Sequence, residues 1–156
     1  MKKLVLTLLL VAAFHLGFSQ NRYELNSEWK CLPLKQVQAG GEQISATGYA
    51  LSGWKPATVP GTVLTTMLNN KEVPDPFYGM NNEKIPDIYV TGRDYYTYWF
   101  VKDFKETAAA GQQVWLNFRG INYSCDIFLN GKKVNKTPYK GMFIRKAFNI
   151  TSFLNK

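Results

Sequence analysis

Histidine and cysteine are scarce in this chain of 156 residues. The single histidine, His15, lies in the apolar N-terminal segment, so a chain that loses this segment has no imidazole for a Ser-His-Asp site or a histidine-ligated metal. Cys31 and Cys125 are too few for a cysteine-rich zinc site and too far apart for a Cys-x-x-Cys redox pair. We therefore expect no bound metal and no cofactor.

The two cysteines lie in apolar segments with strand-like patterns. An oxidising compartment would allow Cys31 and Cys125 to form a disulfide, but a buried free thiol is common in such segments. We favour two buried free thiols, and the disulfide stays open as the alternative.

Long hydrophobic runs are missing after the first twenty residues, which read MKKLVLTLLLVAAFHLGFSQ. Two lysines, a short apolar stretch and the small residues Gly17 and Ser19 are typical of an export signal, so we predict that residues 1–19 are a signal peptide. The stretch is shorter than the roughly 20 residues of a membrane-spanning helix, and no later segment approaches that length. We expect an exported protein, periplasmic or extracellular, without a membrane span; an uncleaved anchor is the alternative.

Positive charge exceeds negative charge only moderately. Loss of residues 1–19 would shorten the chain from 156 to 137 residues and, with Lys2 and Lys3 gone, would reduce the net charge from +8 to +6. Basic residues cluster late in the chain, at Lys132, Lys133, Lys136, Lys140, Arg145 and Lys146. Such clusters are usually solvated faces, and exported proteins rarely meet nucleic acid, so we do not expect nucleic-acid binding.

Several segments alternate apolar and polar residues in the manner of β-strands. They span residues 23–34, 94–104, 112–118, 125–134 and 141–150. Asn130-Gly131 divides the fourth segment into two arms, because both residues tolerate the positive φ of a type I′ turn. In the first arm we expect Ile127 and Leu129 to face the core and Phe128 to face the other side.

One short helix and two irregular segments complete the pattern. Thr62 is a predicted N-cap for a helix that ends near Asn69-Asn70, with apolar residues at helical spacing. Residues 36–53 are predicted to be a surface loop or a weak strand. Residues 71–92 contain three prolines and two glycines and are predicted to be a long loop. Its apolar side chains can pin it to a surface; they are Phe77, Tyr78, Ile85, Ile88 and Tyr89.

These elements predict an all-β fold, a jelly-roll-like antiparallel β-sandwich with one short helix. No strand follows residues 141–150, which would leave an open sheet edge. We therefore expect residues 20–156 to form one domain that is truncated at its C-terminal end and lacks its last strands.

Ordered motifs along the chain carry a family resemblance. In the second half they are Gly120-Ile121, Leu129-Asn130-Gly131, Gly141-Met142-Phe143 and Phe148-Asn149-Ile150-Thr151. In this order they resemble the N-terminal sugar-binding domain of glycoside hydrolase family two, which has a galactose-binding-like jelly-roll fold. Upstream, GWKPATVPGTVLTTML, VPDPFYGMNNEKIP and YYTYWFVKDF resemble the branch of exo-β-glucosaminidases and β-mannosidases. Val101 and Asn149 depart from the Arg and Asp that are usual in the family.

The resemblance implies an accessory domain of a secreted exo-acting β-glycosidase. In that family an immunoglobulin-like domain and a barrel with two catalytic glutamates follow, and the N-terminal domain packs against them. The sequence contains no part of that barrel, so we expect no catalytic residue in this chain and no hydrolysis by this chain alone. The implied ligand is a β-linked glucosaminide or mannoside, bound by the full-length enzyme.

The loop of residues 71–92 is the predicted site of sugar contact, because it mixes polar groups with aromatic faces as ligand pockets do. The candidate substrate-binding residues are Asp75, Phe77, Tyr78, Asn81, Asn82, Glu83 and Arg93. Interdomain packing is the default role of such residues, and sugar contact is the functional role for which they are candidates. Two other functions stay open for the whole chain: a stand-alone carbohydrate-binding module without hydrolase activity, and an exported interaction domain without a sugar ligand.

Tryptophans and glycosylation sequons provide further candidates. Trp54, Trp99 and Trp115 could stack on sugar rings, but their context favours burial in the core or in a domain interface. Formal sequons begin at Asn122, Asn135 and Asn149, and the sequence does not decide whether they are used.

Overall fold

The computed structural model describes residues 20–155, so the predicted signal peptide lies outside the described residues. The strands are β1 (Lys30–Pro33), β2 (Lys55–Pro56), β3 (Tyr98–Val101), β4 (Trp115–Phe118), β5 (Ser124–Cys125), β6 (Phe128–Leu129), β7 (Lys132–Lys133), β8 (Tyr139–Lys140) and β9 (Lys146–Asn149). The α-helices are α1 (Gly41–Ile44), α2 (Val63–Asn69) and α3 (Ile88–Thr91). Short 3-10 helices span Leu34–Gln36, Asn81–Lys84, Arg93–Tyr96 and Thr151–Phe153.

All strand pairs in the described residues are antiparallel. The largest sheet has the order β2-β1-β3, and three further pairs are β4-β9, β5-β8 and β6-β7. A mostly β structure with short helices confirms the predicted fold class. The structure has three α-helices in the described residues, whereas the sequence predicts one. The sequence does not reveal α1 and α3, because each is only one turn long and too short to show a periodic apolar pattern.

Strands are shorter than the alternating segments predicted. The segment 23–34 becomes a strand only at Lys30, since the Trp29 indole Nε1 donates a hydrogen bond to the Leu25 carbonyl at 2.7 Å and Glu28 has a φ of 56°. The segment 94–104 begins as a 3-10 helix rather than a strand, because the Tyr96 hydroxyl donates to the Pro86 carbonyl and holds the chain in a turn. Residues 141–145 are likewise not a strand, and only β9 is.

Helix α2 begins and ends as the sequence predicts. Thr62 is its N-cap, and the Thr62 side chain accepts a hydrogen bond from the Thr65 backbone N–H at 3.0 Å. The helix buries Thr66 and Met67, and the Thr66 hydroxyl accepts from the Thr58 N–H at 3.1 Å. The helix is therefore fixed to the segment that follows β2, which positions its C-terminal end.

The β6–β7 hairpin closes with the predicted two-residue turn. Phe128 pairs with Lys133 in its register, and the turn residues Asn130 and Gly131 have φ values of 49° and 78°. Positive φ at both central residues is the signature of a type I′ turn. Ile127, directly before β6, is buried as predicted.

Phe128 lies on the opposite side of the hairpin and packs directly on α1. A Cβ built at Gly41 would lie 2.3 Å from the Phe128 ring, so only glycine fits at this position. The Phe128 ring also lies 5.9 Å from the Trp99 ring, centroid to centroid. The hairpin thereby joins α1 to β3.

Hydrogen bonds at the hairpin turn extend this junction. The Gly131 N–H donates to the backbone oxygen of Ser45 at 3.2 Å and to its hydroxyl at 3.1 Å. The Asn130 side-chain amide donates to the Phe153 carbonyl at 2.8 Å. The end of α1 and the last 3-10 helix therefore meet at the same turn.

Asn135 is a buried polar residue whose side-chain oxygen and amide nitrogen both form hydrogen bonds. The side chain is 5% exposed, and Oδ1 accepts from the Ile127 N–H at 2.7 Å. The amide nitrogen donates to the carbonyls of Cys125 at 3.1 Å and Thr137 at 2.9 Å. Asn135 therefore satisfies backbone groups that the interrupted strands leave unpaired.

The core of the described residues is small. Its buried apolar side chains are Cys31, Ile44, Trp54, Met67, Ile127, Tyr139 and Ile150. Cys31 is buried, Cys125 is half-buried, and both are free thiols, as the sequence favours. Among residues 20–155 no helix is long and apolar enough to cross a membrane.

We expect Gly41→Ala to lower the free energy of unfolding by about 1–3 kcal/mol, the usual cost of overpacking. The added methyl group would overlap the Phe128 ring, whereas glycine-to-alanine changes without a clash usually stabilise a protein. Urea denaturation measures the effect. Gly120→Ala is the matched control, since a Cβ there meets no atom within 4 Å; equal stability of the two variants would contradict the packing.

We expect the Cys125 thiol to be inert in the folded protein at pH 8. Burial, with a smaller contribution from the Asp126 carboxylate, raises the pKa of Cys125 to about 11. Since the thiolate is the nucleophile, roughly one thiol in a thousand is reactive at pH 8. Peptide mass spectrometry after iodoacetamide treatment should show slow alkylation that accelerates toward pH 11, against rapid alkylation in urea at pH 8. Equal rates in the folded and unfolded chain at pH 8 would show that the thiol is accessible and ionised.

Candidate functional site

The loop of residues 71–92 is held firmly where it leaves α2. The Lys55 Nζ lies 3.1 Å from Oε2 of Glu72, and the Asn70 side-chain amide donates to the Pro56 carbonyl at 2.9 Å. The Glu72 N–H donates to the Met67 carbonyl at 2.9 Å and so continues the hydrogen bonding of the helix. The first residues of the loop therefore have a fixed position beside α2 and β2.

A groove of about 740 Å³ lies along this first part of the loop. It is lined by Leu68, Lys71, Glu72, Val73, Pro74, Asp75, Pro76 and Phe77. Two of the seven predicted site residues, Asp75 and Phe77, belong to this lining, and the other five do not. The lining combines apolar surface with charges of both signs.

Asp75 shapes the loop as well as lining the groove. Its Oδ1 accepts a hydrogen bond from the Phe77 N–H at 2.9 Å, and its carbonyl accepts from the Tyr78 N–H at 3.3 Å. This is the turn that aspartate favours through its short side chain. The turn leaves Phe77 97% exposed and Tyr78 78% exposed, so neither aromatic ring packs against the described residues to any extent.

The next three predicted residues lie in one short 3-10 helix, Asn81–Lys84. Asn81 is half-buried, and its Oδ1 accepts from the Lys84 Nζ at 3.1 Å. Asn82 and Glu83 are exposed and form no hydrogen bond through their side chains within residues 20–155. Their polar groups are therefore free to bind a ligand or another domain.

Arg93 lies apart from the groove, at the start of the 3-10 helix that precedes β3. Its side chain is exposed and has no acidic partner within residues 20–155, while its carbonyl accepts from the Thr97 hydroxyl at 3.1 Å. Arg119, which follows β4, forms an ion pair with Glu24 at 2.6 Å. That acidic residue does not belong to the loop.

The second part of the loop contains α3, which the sequence does not reveal. Asp87 caps this helix, because its Oδ1 accepts from the Tyr89 N–H at 2.8 Å. Tyr89 is 95% exposed and Val90 is 83% exposed. Phe77 and Tyr89 therefore do not pin the loop within the described residues, whereas Ile85 is half-buried. Polar turns and caps hold the rest of the backbone.

The three tryptophans differ in their surroundings. Trp54 is 9% exposed and belongs to the core, as the sequence favours. Trp99 is half-buried, and its indole Nε1 is buried without a hydrogen-bond partner in the described part of the chain. Trp115 is 50% exposed, so it does not belong to the core. Its Nε1 donates to Oε1 of Gln113 at 3.2 Å, which leaves the indole ring on the surface.

A second apolar surface follows β8, where a continuous strand was predicted. We call it the 142–144 surface, and it consists of Met142, Phe143 and Ile144. Tyr123 lies beside this surface, because its carbonyl accepts a hydrogen bond from the Gly141 N–H at 2.8 Å. Phe143 is 93% exposed and has a φ of 58°, which is rare for a residue with a side chain. The backbone therefore presents this ring to the outside at a conformational cost.

The loop provides groups for binding but not an environment for acid catalysis. The carboxylates of Asp75, Glu83 and Asp87 are exposed, whereas a general acid in a glycosidase needs surroundings that raise its pKa. No group of three or more metal-ligating side chains occurs among residues 20–155. Amides, carboxylates and aromatic faces in this arrangement can hold a polyhydroxylated ligand.

Comparison with known proteins agrees with these features. A family model described as "Glycosyl hydrolase 2 galactose-binding domain-like" matches residues 34–156. The mannosylglycoprotein endo-beta-mannosidase of Lilium longiflorum is 47% identical over 134 residues, which are 84% of this chain and 14% of that protein. An exo-beta-D-glucosaminidase of Streptomyces avermitilis is 30% identical over 114 residues, which are 72% of this chain and 12% of that protein.

A solved structure shows the same fold. The exo-chitosanase CsxA of Amycolatopsis orientalis superposes with a TM-score of 0.70 at 24% identity, over 85% of this chain and 15% of that chain. This chain covers 14% of the lily protein and 12% of the Streptomyces avermitilis protein, so it spans about a seventh or less of the length of these two relatives. The predicted resemblance is confirmed: the chain belongs to the galactose-binding-like domain family of glycoside hydrolase family 2.

Proposed function

We propose that this domain is the sugar-binding accessory part of an exported β-glycosidase and that its 71–92 loop contacts the substrate. The reaction is hydrolysis of a β-glycosidic bond by two carboxylates that lie outside residues 20–155. Export is supported by the signal-like residues 1–19, and a periplasmic or extracellular location follows from it. The natural polypeptide that carries this chain is therefore proposed to be the enzyme.

The observation that carries the proposal is the exposure of Phe77 and Tyr78 on a firmly held loop. Two aromatic rings in contact with water are unfavourable unless something covers them. The ion pair of Lys55 with Glu72 and the Asp75 turn fix the backbone that carries the rings. Aromatic faces beside carboxylate and amide groups match a sugar, which has apolar C–H faces and hydroxyl edges.

A β-mannoside is the proposed substrate class. The relative with 47% identity is named as an endo-β-mannosidase, whereas the glucosaminidase from Streptomyces avermitilis is 30% identical. The predicted exo mode of action stays a proposal beside the endo mode that the lily protein's name states.

The 142–144 surface is proposed to pack against a neighbouring domain of the same polypeptide. Phe143 projects into solvent, and Lys140, Arg145 and Lys146 surround the three apolar residues in sequence. An apolar centre with a basic rim fits an apolar patch with an acidic rim. The immunoglobulin-like and barrel domains of the family are the proposed partners.

A stand-alone carbohydrate-binding module is the second candidate function, and the exposed Trp115 favours it. An indole ring on the surface is a usual platform for stacking on sugar rings. In this case the natural polypeptide would bind β-mannan without cleaving it.

We expect the natural polypeptide to release sugar from a β-mannoside. The assay compares an aryl β-mannoside, a mannosylglycoprotein glycan and an aryl β-glucosaminide. Cleavage of either mannose-containing substrate supports the proposal, and the preferred one of the two separates exo from endo action. Cleavage of the glucosaminide alone would overturn the substrate class, and mannan binding without cleavage would establish the second candidate.

We expect Phe77→Ala and Tyr78→Ala to lower kcat/KM of the natural polypeptide about tenfold each, the equivalent of one buried aromatic contact. The melting temperature should not change, because both rings are exposed among the described residues. Tyr23→Ala is the control, since this aromatic ring is 56% exposed and lies outside both the 71–92 loop and the 142–144 surface. An unchanged kcat/KM in both loop variants would remove the loop from substrate contact.

A further inference from the structure

A second groove, of about 510 Å³, lies between the end of β1, α1 and the residues that precede β2. It is lined by Leu32, Gln36, Val37, Gln38, Ala39, Gln43, Tyr49, Ala50, Ser52 and Trp54. We call it the glutamine groove. It shares no residue with the 71–92 loop, and its volume is within the range of small-ligand sites, about 300–1,000 Å³.

Three carboxamide side chains supply the polar groups of this groove. Gln36, Gln38 and Gln43 are exposed, and their side chains take part in none of the hydrogen bonds formed within residues 20–155. Each carboxamide offers two donor hydrogens and one acceptor oxygen. One carboxamide can therefore donate to one hydroxyl oxygen of a sugar and accept from the neighbouring hydroxyl group.

Aromatic rings form a fixed wall beside the carboxamides. Tyr49 and Trp54 meet edge to face with ring centroids 6.4 Å apart and an angle of 84° between the rings. Trp54 is 9% exposed, and backbone hydrogen bonds from Tyr49 to the Ala46 carbonyl at 3.1 Å and from Trp54 to the Leu51 carbonyl at 3.2 Å close the turns that carry both rings. The wall is thus ordered before any ligand arrives, which lowers the entropic cost of binding.

Charge distinguishes the two grooves. Lys71, Glu72 and Asp75 line the first one, whereas the glutamine groove has no charged residue in its lining. A charged ligand would lose hydration there without gaining an opposite charge, which is unfavourable. A neutral ligand rich in hydroxyl groups has no charge whose hydration would be lost, and its hydroxyl groups can hydrogen-bond to the carboxamides.

We propose that the glutamine groove is a separate binding site for a neutral oligosaccharide. The carboxamides contact the hydroxyl groups, and Tyr49 with the apolar residues of the groove contacts the C–H faces of the sugar rings. The site holds a chain of sugar without cleaving it, because its lining contains no carboxylic acid and glycoside hydrolysis uses a pair of them. The proposal does not depend on the assignment of the 71–92 loop, since the two share no side chain.

Hydrogen exchange with mass spectrometry tests the proposal on the natural polypeptide. The probe is a β-1,4-thio-linked mannotetraose, which glycosidases do not cleave, and the charged comparison is a glucosamine tetramer. We expect the neutral probe to slow backbone exchange in peptides covering residues 36–54, with little effect from the charged one. The double variant Gln38→Ala/Gln43→Ala should weaken this protection, and the Kd of the probe obtained from it should rise at least fivefold. The value of kcat/KM on a small aryl mannoside should not change.

Gln112→Ala is the matched control, because Gln112 is an exposed glutamine outside both grooves. It should preserve protection of residues 36–54. Absent protection, protection that survives the double variant, or equal protection by the glucosamine tetramer would overturn the proposal. Failure of the 71–92 loop as a substrate contact would appear elsewhere, as unchanged kcat/KM in the Phe77 and Tyr78 variants, so the two proposals fail separately.

Discussion

The packing of the Phe128 ring on the Cα of Gly41 joins parts of the chain that are far apart in sequence. Because no side chain separates them, α1 lies close enough for Ser45 to receive two hydrogen bonds from the Gly131 N–H. The same ring contacts Trp99 of β3. The core is small, and three of the five strand pairs in the described residues span only two residues on each side, so this junction adds packing that the short strands do not supply. The junction also fixes the position of the glutamine groove, because α1 contains Gln43, which lines the groove.

Local signals in the sequence were sufficient for some elements and not for others. Thr62 and Asn130-Gly131 act on their immediate neighbours, through a cap and a turn, so α2 and the β6–β7 hairpin could be predicted. The bounds of β1 and β3 depend instead on the contacts of Trp29 with Leu25 and of Tyr96 with Pro86. The alternation of apolar and polar residues continues through both segments, so it does not show at which residue the strand begins.

The candidate site divides in the same way. Composition alone predicts the 71–92 loop as a ligand contact, because aromatic and amide groups are concentrated there. It could not show that Asp75 and Phe77 share a groove while Arg93 lies elsewhere, since this depends on the path of the chain in three dimensions between these residues. The glutamine groove was missed because residues 36–53 lack apolar periodicity; the unusual density of glutamine there was the available signal.

The environment of Asn135 bears on how the protein is produced. Asn135 begins an Asn-Lys-Thr sequon, yet its amide nitrogen already donates to two carbonyls inside the fold. A eukaryotic secretory host that used this sequon would attach an oligosaccharide to that nitrogen while the chain is still emerging from the ribosome. The modified residue would then be too bulky for its enclosed position, and the chain could not reach this fold. A bacterial host avoids this conflict, as does replacement of Thr137 by valine, because the Asn135 amide uses only the Thr137 backbone carbonyl.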